Sequence, residues 1–119
     1  MRRQTHFVMG AMAFLAYTYP LYLLLHLPSD TMLLGFFAAL FGSVMPDVLE
    51  PPRNWTHRGL GHSRRAMRFT GWLFVFTAIL GFFQIYNQGL HVSYLASGFF
   101  LGYATHLLAD SMTPAGLPE

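Results

Sequence analysis

The stretch "EPPRNWTHRGLGHSRRAMR", Glu50 to Arg68, is the one long polar interruption in a chain of apolar runs. Pro51 and Pro52 at its start must end any helix that enters it, because proline lacks an N–H and clashes with the preceding turn. Five of the seven basic residues lie inside it, Arg53, Arg58, Arg64, Arg65 and Arg68, and the other two are Arg2 and Arg3. Every basic side chain is an arginine; the chain has no lysine. To either side of the stretch, charge all but disappears.

Composition explains why this matters. Hydrophobic residues make up 54% of the 119 residues and charged residues only 10%, against roughly 25% in a soluble domain. A soluble protein of this size would be left with an apolar surface, so the bilayer is the better solvent. The absence of cysteine excludes disulfides, thiolate metal sites and a cysteine nucleophile. The start, "MRRQTHFVMGAMAFLAY", has the basic opening of a signal peptide. Its apolar run is too long for one, and no small-residue cleavage site precedes Pro20. It reads as a retained first span.

A membrane-crossing helix needs roughly 20 mostly apolar residues. Four segments meet this: 7–27, 31–49, 69–86 and 92–110. None carries the polar stripe of a soluble bundle helix. "LPSD" makes a tight turn between the first two, with Asp30 as the expected N-cap of the second, and "NQGLH" joins the last two. Only the loop 50–68 is long. Arginines flank the first span at its start and fill that loop, and the other two connections hold none. The positive-inside rule then places both termini and the loop in the cytoplasm. The expected architecture is an all-α integral membrane protein: one domain over 1–119 with four transmembrane helices, N-in and C-in. Gly98 and Gly102 on the fourth span, and Ala38 and Gly42 on the second, are four residues apart, and such small pairs let spanning helices pack closely.

On this topology the ionisable residues collect at one membrane face. His6 opens the first span, Asp47 and Glu50 close the second, His57 and His62 lie in the loop, and His106 and Asp110 close the fourth. Only His26, His91 and Asp30 fall on the other face. His106 and Asp110 are four apart and share a helical face, so they can bind one ion, or the carboxylate can orient the imidazole. Asp47 and Glu50, three apart, also share a face. His57 and His62 would diverge by about 140° on a straight helix, but Gly59 and Gly61 let them converge in a loop. Each group has an ordinary explanation as interfacial solvation, and the arginines are explained by topology alone. Convergence of all seven candidates on one face favours a site. Its mixed imidazole and carboxylate donors suit zinc, and also manganese or iron, and their number is compatible with two ions. Ser63, Ser111 and Thr113 read as capping or supporting residues, since no nucleophile elbow surrounds them.

These residues fall into recognisable motifs. "TH" at Thr5–His6, "MPDVLE", "HRGLGHS" and "GYATHLLADSMTPAG" resemble, over nearly the whole chain, the YdjM-like family of inner-membrane, membrane-bound metal-dependent hydrolases. The resemblance implies a metal-dependent hydrolase in the prokaryotic cytoplasmic membrane, with metal or catalytic roles for His6, Asp47, His57, His62, His106 and Asp110. Many relatives read P-D-x-D where this chain has Leu49, followed by Glu50. Relatives also often continue past the T-P-x-G motif, where this chain ends at Glu119.

The leading expectation is thus a hydrolase at the cytoplasmic membrane surface. His57, His62, His106 and Asp110 would hold metal, and Asp47 or Glu50 would be a ligand or general base. Arg58, Arg64 and Arg65 would bind an anionic substrate, with a phosphorylated lipid or lipid-linked phosphate the natural choice beside a membrane. A second reading is a metal-independent lipid phosphatase with a histidine nucleophile, suggested by "HLLAD" and "GHSRR", although "FLGYAT" stands where that pattern needs its S-R pair. A third is a non-enzymatic metal- or lipid-binding module. An ion channel is disfavoured by the lack of mid-depth charge, and nucleic acid by the position of the arginines within reach of lipid and the lack of an aromatic stacking surface.

Overall fold

The computed structural model describes residues 3–49, 63–86 and 91–112. Among them the chain forms four helices and no strand: α1 (Arg3–Leu25), α2 (Ser29–Leu49), α3 (Arg64–Tyr86) and α4 (Val92–Ser111). The loop 50–62, with Glu50, His57, Arg58 and His62, lies outside the described residues, as do 87–90 and the tail with Thr113.

α1 begins at Arg3, four residues before the expected 7, and α4 ends one residue later than expected, at Ser111; three other boundaries also differ from the sequence expectation, each for a local reason. α1 stops at Leu25 because His26 turns into the left-handed region, φ 53°, with its N–H donating to the Tyr22 carbonyl at 3.0 Å. Pro28 follows and cannot resume the same helix. Asp30 is not the cap of α2: the helix begins at Ser29, and the Asp30 carboxylate accepts the N–H of Thr31 at 2.9 Å inside the first turn. α3 begins at Arg64, well before residue 69. Ser63 Oγ accepts the N–H of Ala66 at 3.0 Å, the N-cap arrangement, so the helix runs through three arginines before its apolar part. Hydropathy sees only the part that suits hydrocarbon. Arg64 and Arg65 therefore stand exposed on a first helical turn, not in a loop.

α1, α2 and α3 are each long and apolar enough to cross a membrane. Their outward faces expose large apolar side chains, among them Leu24, Phe41 and Trp72. α4 is not among these three; it carries buried polar side chains, and its position explains them. It packs against all three other helices, and its buried residues include Ser97, Gly98, Gly102, Tyr103, His106 and Asp110. A helix enclosed by protein can carry polar side chains that a lipid-facing helix cannot.

α2 and α4 approach backbone to backbone. A Cβ on Gly102 would collide with the Ala39 carbonyl, and one on Gly42 with the Phe99 carbonyl. The expected close pairing is present, with Gly98 and Gly102 on α4. On α2 the residue that meets them is Ala39, fully buried, with Gly35 and Gly42, while Ala38 is one position off the contact face and only half-buried. Beyond this seam, Phe14, Ala39, Ile85 and Tyr94 form one core cluster. Tyr103 and Leu107 form a second with Met67 at the start of α3. The start of α3 thus lies at the same end of the bundle as the end of α4.

Candidate metal centre

Three helices each place one turn of polar residues at this end of the bundle. From α1 comes His6, from the end of α2 Asp47, and from the end of α4 His106 with Asp110. His6, His106 and Asp110 are buried, while the Asp47 side chain keeps 20% of its surface. Potential ligand atoms of His6, Asp47 and His106 all lie within 4.8 Å of one another, so this group can hold a metal ion.

His106 is the centre of the arrangement. Its Nδ1 lies 2.5 Å from the Ser43 carbonyl oxygen. A carbonyl can only accept, so Nδ1 carries a proton and donates. In the neutral ring Nε2 is then a lone pair. That atom faces Asp110 Oδ2 at 3.2 Å and Asp47 Oδ1 at 3.4 Å. A lone pair aimed at two carboxylates is unfavourable unless a proton or a cation lies among them. The His6 ring stacks on His106 with centroids 3.6 Å apart and planes 15° apart. Its Nε2 lies 3.4 Å from Asp110 Oδ1. Two imidazolium ions stacked face to face would repel, so protons alone neutralise the two carboxylates poorly.

The donor set passes a simple test of fit. Two donors each about 2.0–2.1 Å from a tetrahedral ion lie roughly 3.3–3.4 Å apart. The His106–Asp47 contact of 3.4 Å, and the contacts of Asp110 with His106 at 3.2 Å and with His6 at 3.4 Å, match that spacing and sit at or beyond the long edge of hydrogen bonding, while the His6, Asp47 and His106 donors as a set fall within 4.8 Å. His6 Nδ1 is buried with no hydrogen-bond partner among the described residues, so hydrogen bonding at that atom does not hold the ring in place. The Ser43 carbonyl supplies the outer contact that typically fixes a ligating histidine's tautomer.

The local sequence explains how three helices come so near. Each ligand has a small residue one turn deeper: Gly10 four after His6, Ser43 four before Asp47, and Gly102 four before His106. A Cβ on Gly10 would lie 3.0 Å from Ser43 Cβ, and one on Gly102 2.9 Å from the Ser43 nitrogen. Ser43 is fully buried between them, and its hydroxyl turns back to the Leu40 carbonyl at 2.7 Å. This layer of small side chains sets the distance at which the ligands above it meet.

A family model described as the YdjM inner membrane protein matches residues 1–118. The chain belongs to the YdjM inner membrane protein family. It is a membrane protein of that family, and its apolar helices are those of a chain integrated in the bilayer. No curated protein and no solved structure matches it.

For this YdjM family member, the structure brings together His6, Asp47, His106 and Asp110. Glu50, His57, Arg58 and His62 lie outside the described residues. Arg64 and Arg65 stand at the same end of the bundle, on α3. Ser63 is the cap of α3, and Ser111 donates to the Leu108 carbonyl at 2.6 Å, both in the supporting roles expected of them. Sequence reasoning missed Ser43 and Gly10. Ser43 acts through its backbone, which residue type does not report, but the small residue four away from each ligand was a readable signal.

Proposed function

We propose that this protein is a metal-dependent hydrolase acting at the membrane surface on a phosphorylated lipid or lipid-linked phosphate. The observation that carries the reading is His106, whose Nδ1 is committed to Ser43 while Nε2 faces Asp47 and Asp110. His6, Asp47 and His106 would hold a divalent ion, with Asp110, whose two oxygens face the two imidazoles, as a further ligand. Zinc suits the mixed nitrogen and oxygen donors best, with manganese and iron as the other fits. Such an ion, when bound, supplies a Lewis acid and lowers the pKa of water toward neutrality.

The remaining tasks fall to the chain. Ser43 keeps the His106 ring in one orientation. Asp47, the ligand with an exposed edge, is placed to accept a proton from an entering water. Arg64 and Arg65 supply a positive field for an anionic headgroup, with Arg58 as a further anchor. Glu50, His57 and His62 are proposed as additional donors, enough for a second ion. In this reading α4 crosses the bilayer packed against α1, α2 and α3. The arginines near the starts of α1 and α3 orient the site toward the cytoplasm.

The histidine-nucleophile alternative needs an imidazole nitrogen open to phosphorus, and His106 Nε2 instead points at two carboxylates. A binding module without catalysis remains the competing reading, and it differs in having a closed coordination shell.

Elemental mass spectrometry on detergent-purified protein tests the metal. Wild type should carry stoichiometric zinc, manganese or iron, lost in both His6→Ala and His106→Ala. Phosphate release from phosphatidic acid, abolished by a chelator, tests the hydrolysis. Wild type that binds no divalent ion after dialysis against each of the three would overturn the metal centre. Bound metal without turnover on any phosphorylated lipid would favour the binding module.

A further inference from the structure

Asp47 belongs to two surfaces of the molecule. Its carboxylate reaches inward to His106, yet on α2 it stands in line with Ser29, Phe36 and Leu40, all within about 40° of arc at 100° per residue. That line is distinct from the one that carries Gly35, Ala39 and Gly42 against α4.

The line of Asp47 borders a furrow between α1 and α2. Nearest the metal centre is a cavity of about 400 Å³ lined by Phe7, Val8, Ala11, Phe36 and Leu40, all apolar. Phe7 adjoins His6 in the chain, and Leu40 is two turns from Asp47. Farther along the same two helices is a second cavity of about 630 Å³, whose lining includes Leu15, Thr18, Tyr22, Ser29 and Met32. On α1, residues 7, 11, 15, 18 and 22 recur at intervals of three and four and share one face. From 7 to 22 that face runs about 22 Å, longer than the roughly 15 Å of one leaflet's hydrocarbon.

Both helices are apolar enough to cross the membrane, so what borders the furrow there is lipid hydrocarbon. Two turns beyond Leu40 on α2 lies Asp47, the partly exposed member of the metal centre among the described residues. We infer that the furrow binds a hydrocarbon chain of the substrate, a phosphorylated membrane lipid that enters sideways from the bilayer between α1 and α2 and presents its headgroup linkage at Asp47. This rests on the hydrolase reading for the headgroup and on the furrow for the chain. Among the described residues of the metal centre His6, His106 and Asp110 are buried and Asp47 is partly exposed, so the inference sets the scissile linkage at the Asp47 end of the furrow. The chain, and not the headgroup alone, then selects the substrate.

Photolabelling in nanodiscs tests this. The probes are phosphatidic acid and phosphatidylcholine, each with a diazirine on one acyl chain, and labelled peptides are mapped by mass spectrometry. The exposed apolar face of α3, with Trp72, Phe76 and Phe83, meets the same bilayer and is the internal control. Phosphatidic acid should label 7–22 and 29–40 several-fold more than the α3 face, and more than phosphatidylcholine labels the same segments. Ala11→Trp, which fills the furrow, should cut that labelling several-fold and leave bound metal unchanged. Leu40→Trp is the second variant from the opposite wall. Equal labelling of the α3 face, equal labelling by the two headgroups, or labelling indifferent to both substitutions would overturn the inference. Metal content is read on the same samples. In wild type, absence of the furrow signal with metal bound refutes the furrow alone, and furrow labelling of a wild type that binds no divalent ion refutes the metal-dependent hydrolase reading alone.

Discussion

Where α1 ends and α4 begins, buried polar groups come in pairs. Tyr17 Oη meets Ser97 Oγ at 2.6 Å, and Thr18 Oγ1 meets Tyr94 Oη at 2.7 Å. Ser97 also donates to the Tyr94 carbonyl. At the opposite end, His6, Asp47, His106 and Asp110 meet as a group, with contacts of 3.2 to 3.4 Å. Hydroxyls are both donors and acceptors, so two of them satisfy each other at hydrogen-bond distance and keep the helices aligned. Two carboxylates facing a histidine already committed through Nδ1 need a proton or a cation between them. His6, Asp47 and His106 are spaced so that they can hold a cation. Buried polarity therefore serves helix alignment at one end and, in the proposed reading, ligand binding at the other, and the difference lies in donor count and spacing more than in depth.

That contrast can be broken in graded steps. The largest effect should come from metal. At about a hundred times its dissociation constant, a bound ion stabilises the fold by roughly 2.7 kcal/mol. Denaturant unfolding in detergent should show this gain for wild type with zinc, and no gain for His106→Ala. A gain of equal size in that variant would mean the ion binds elsewhere.

Next in size is the seam beneath the ligands. Gly102→Ala drives a methyl into the Ala39 carbonyl, an overpacking that should cost about 1–3 kcal/mol. It should also weaken metal binding, because it moves His106 away from Asp47. Zinc titration would register both effects, and weakened stability with unchanged affinity would detach the seam from the site.

The smallest effect belongs to the paired end. Tyr94→Phe removes the partner of Thr18, and interhelical hydrogen bonds in membranes are worth about 0.6 kcal/mol. Stability should fall by about that much while metal affinity stays within error. A change in metal binding would show that the two ends communicate through α4.

Much of the site could be read from the chain before folding. His106 and Asp110 declare a shared face by their four-residue spacing, and Asp47 declares its end of the bundle by the prolines that follow it. His6 was the least informative by itself, a single histidine at the start of a span, and it proves to stack on His106. Nothing local to residue 6 predicts a neighbour a hundred positions away. The α2 contact residue was misread by one position, Ala38 for Ala39, since both are small and only helix rotation separates them. α4 shows the reverse limit. Its buried Ser, Tyr, His and Asp make sense only once it is packed against the three other helices.

Sequence by itself determined the helices, the membrane as their solvent, and the gathering of acids and histidines toward one end. Those properties follow from apolar run length, proline and the periodicity within a single helix. Tertiary structure alone decided which of those residues meet. Periodicity orients side chains around one axis but leaves open how separate axes rotate and approach. Here that was settled by Gly10, Ser43 and Gly102, whose small size lets three backbones close until His6, Asp47 and His106 face one point.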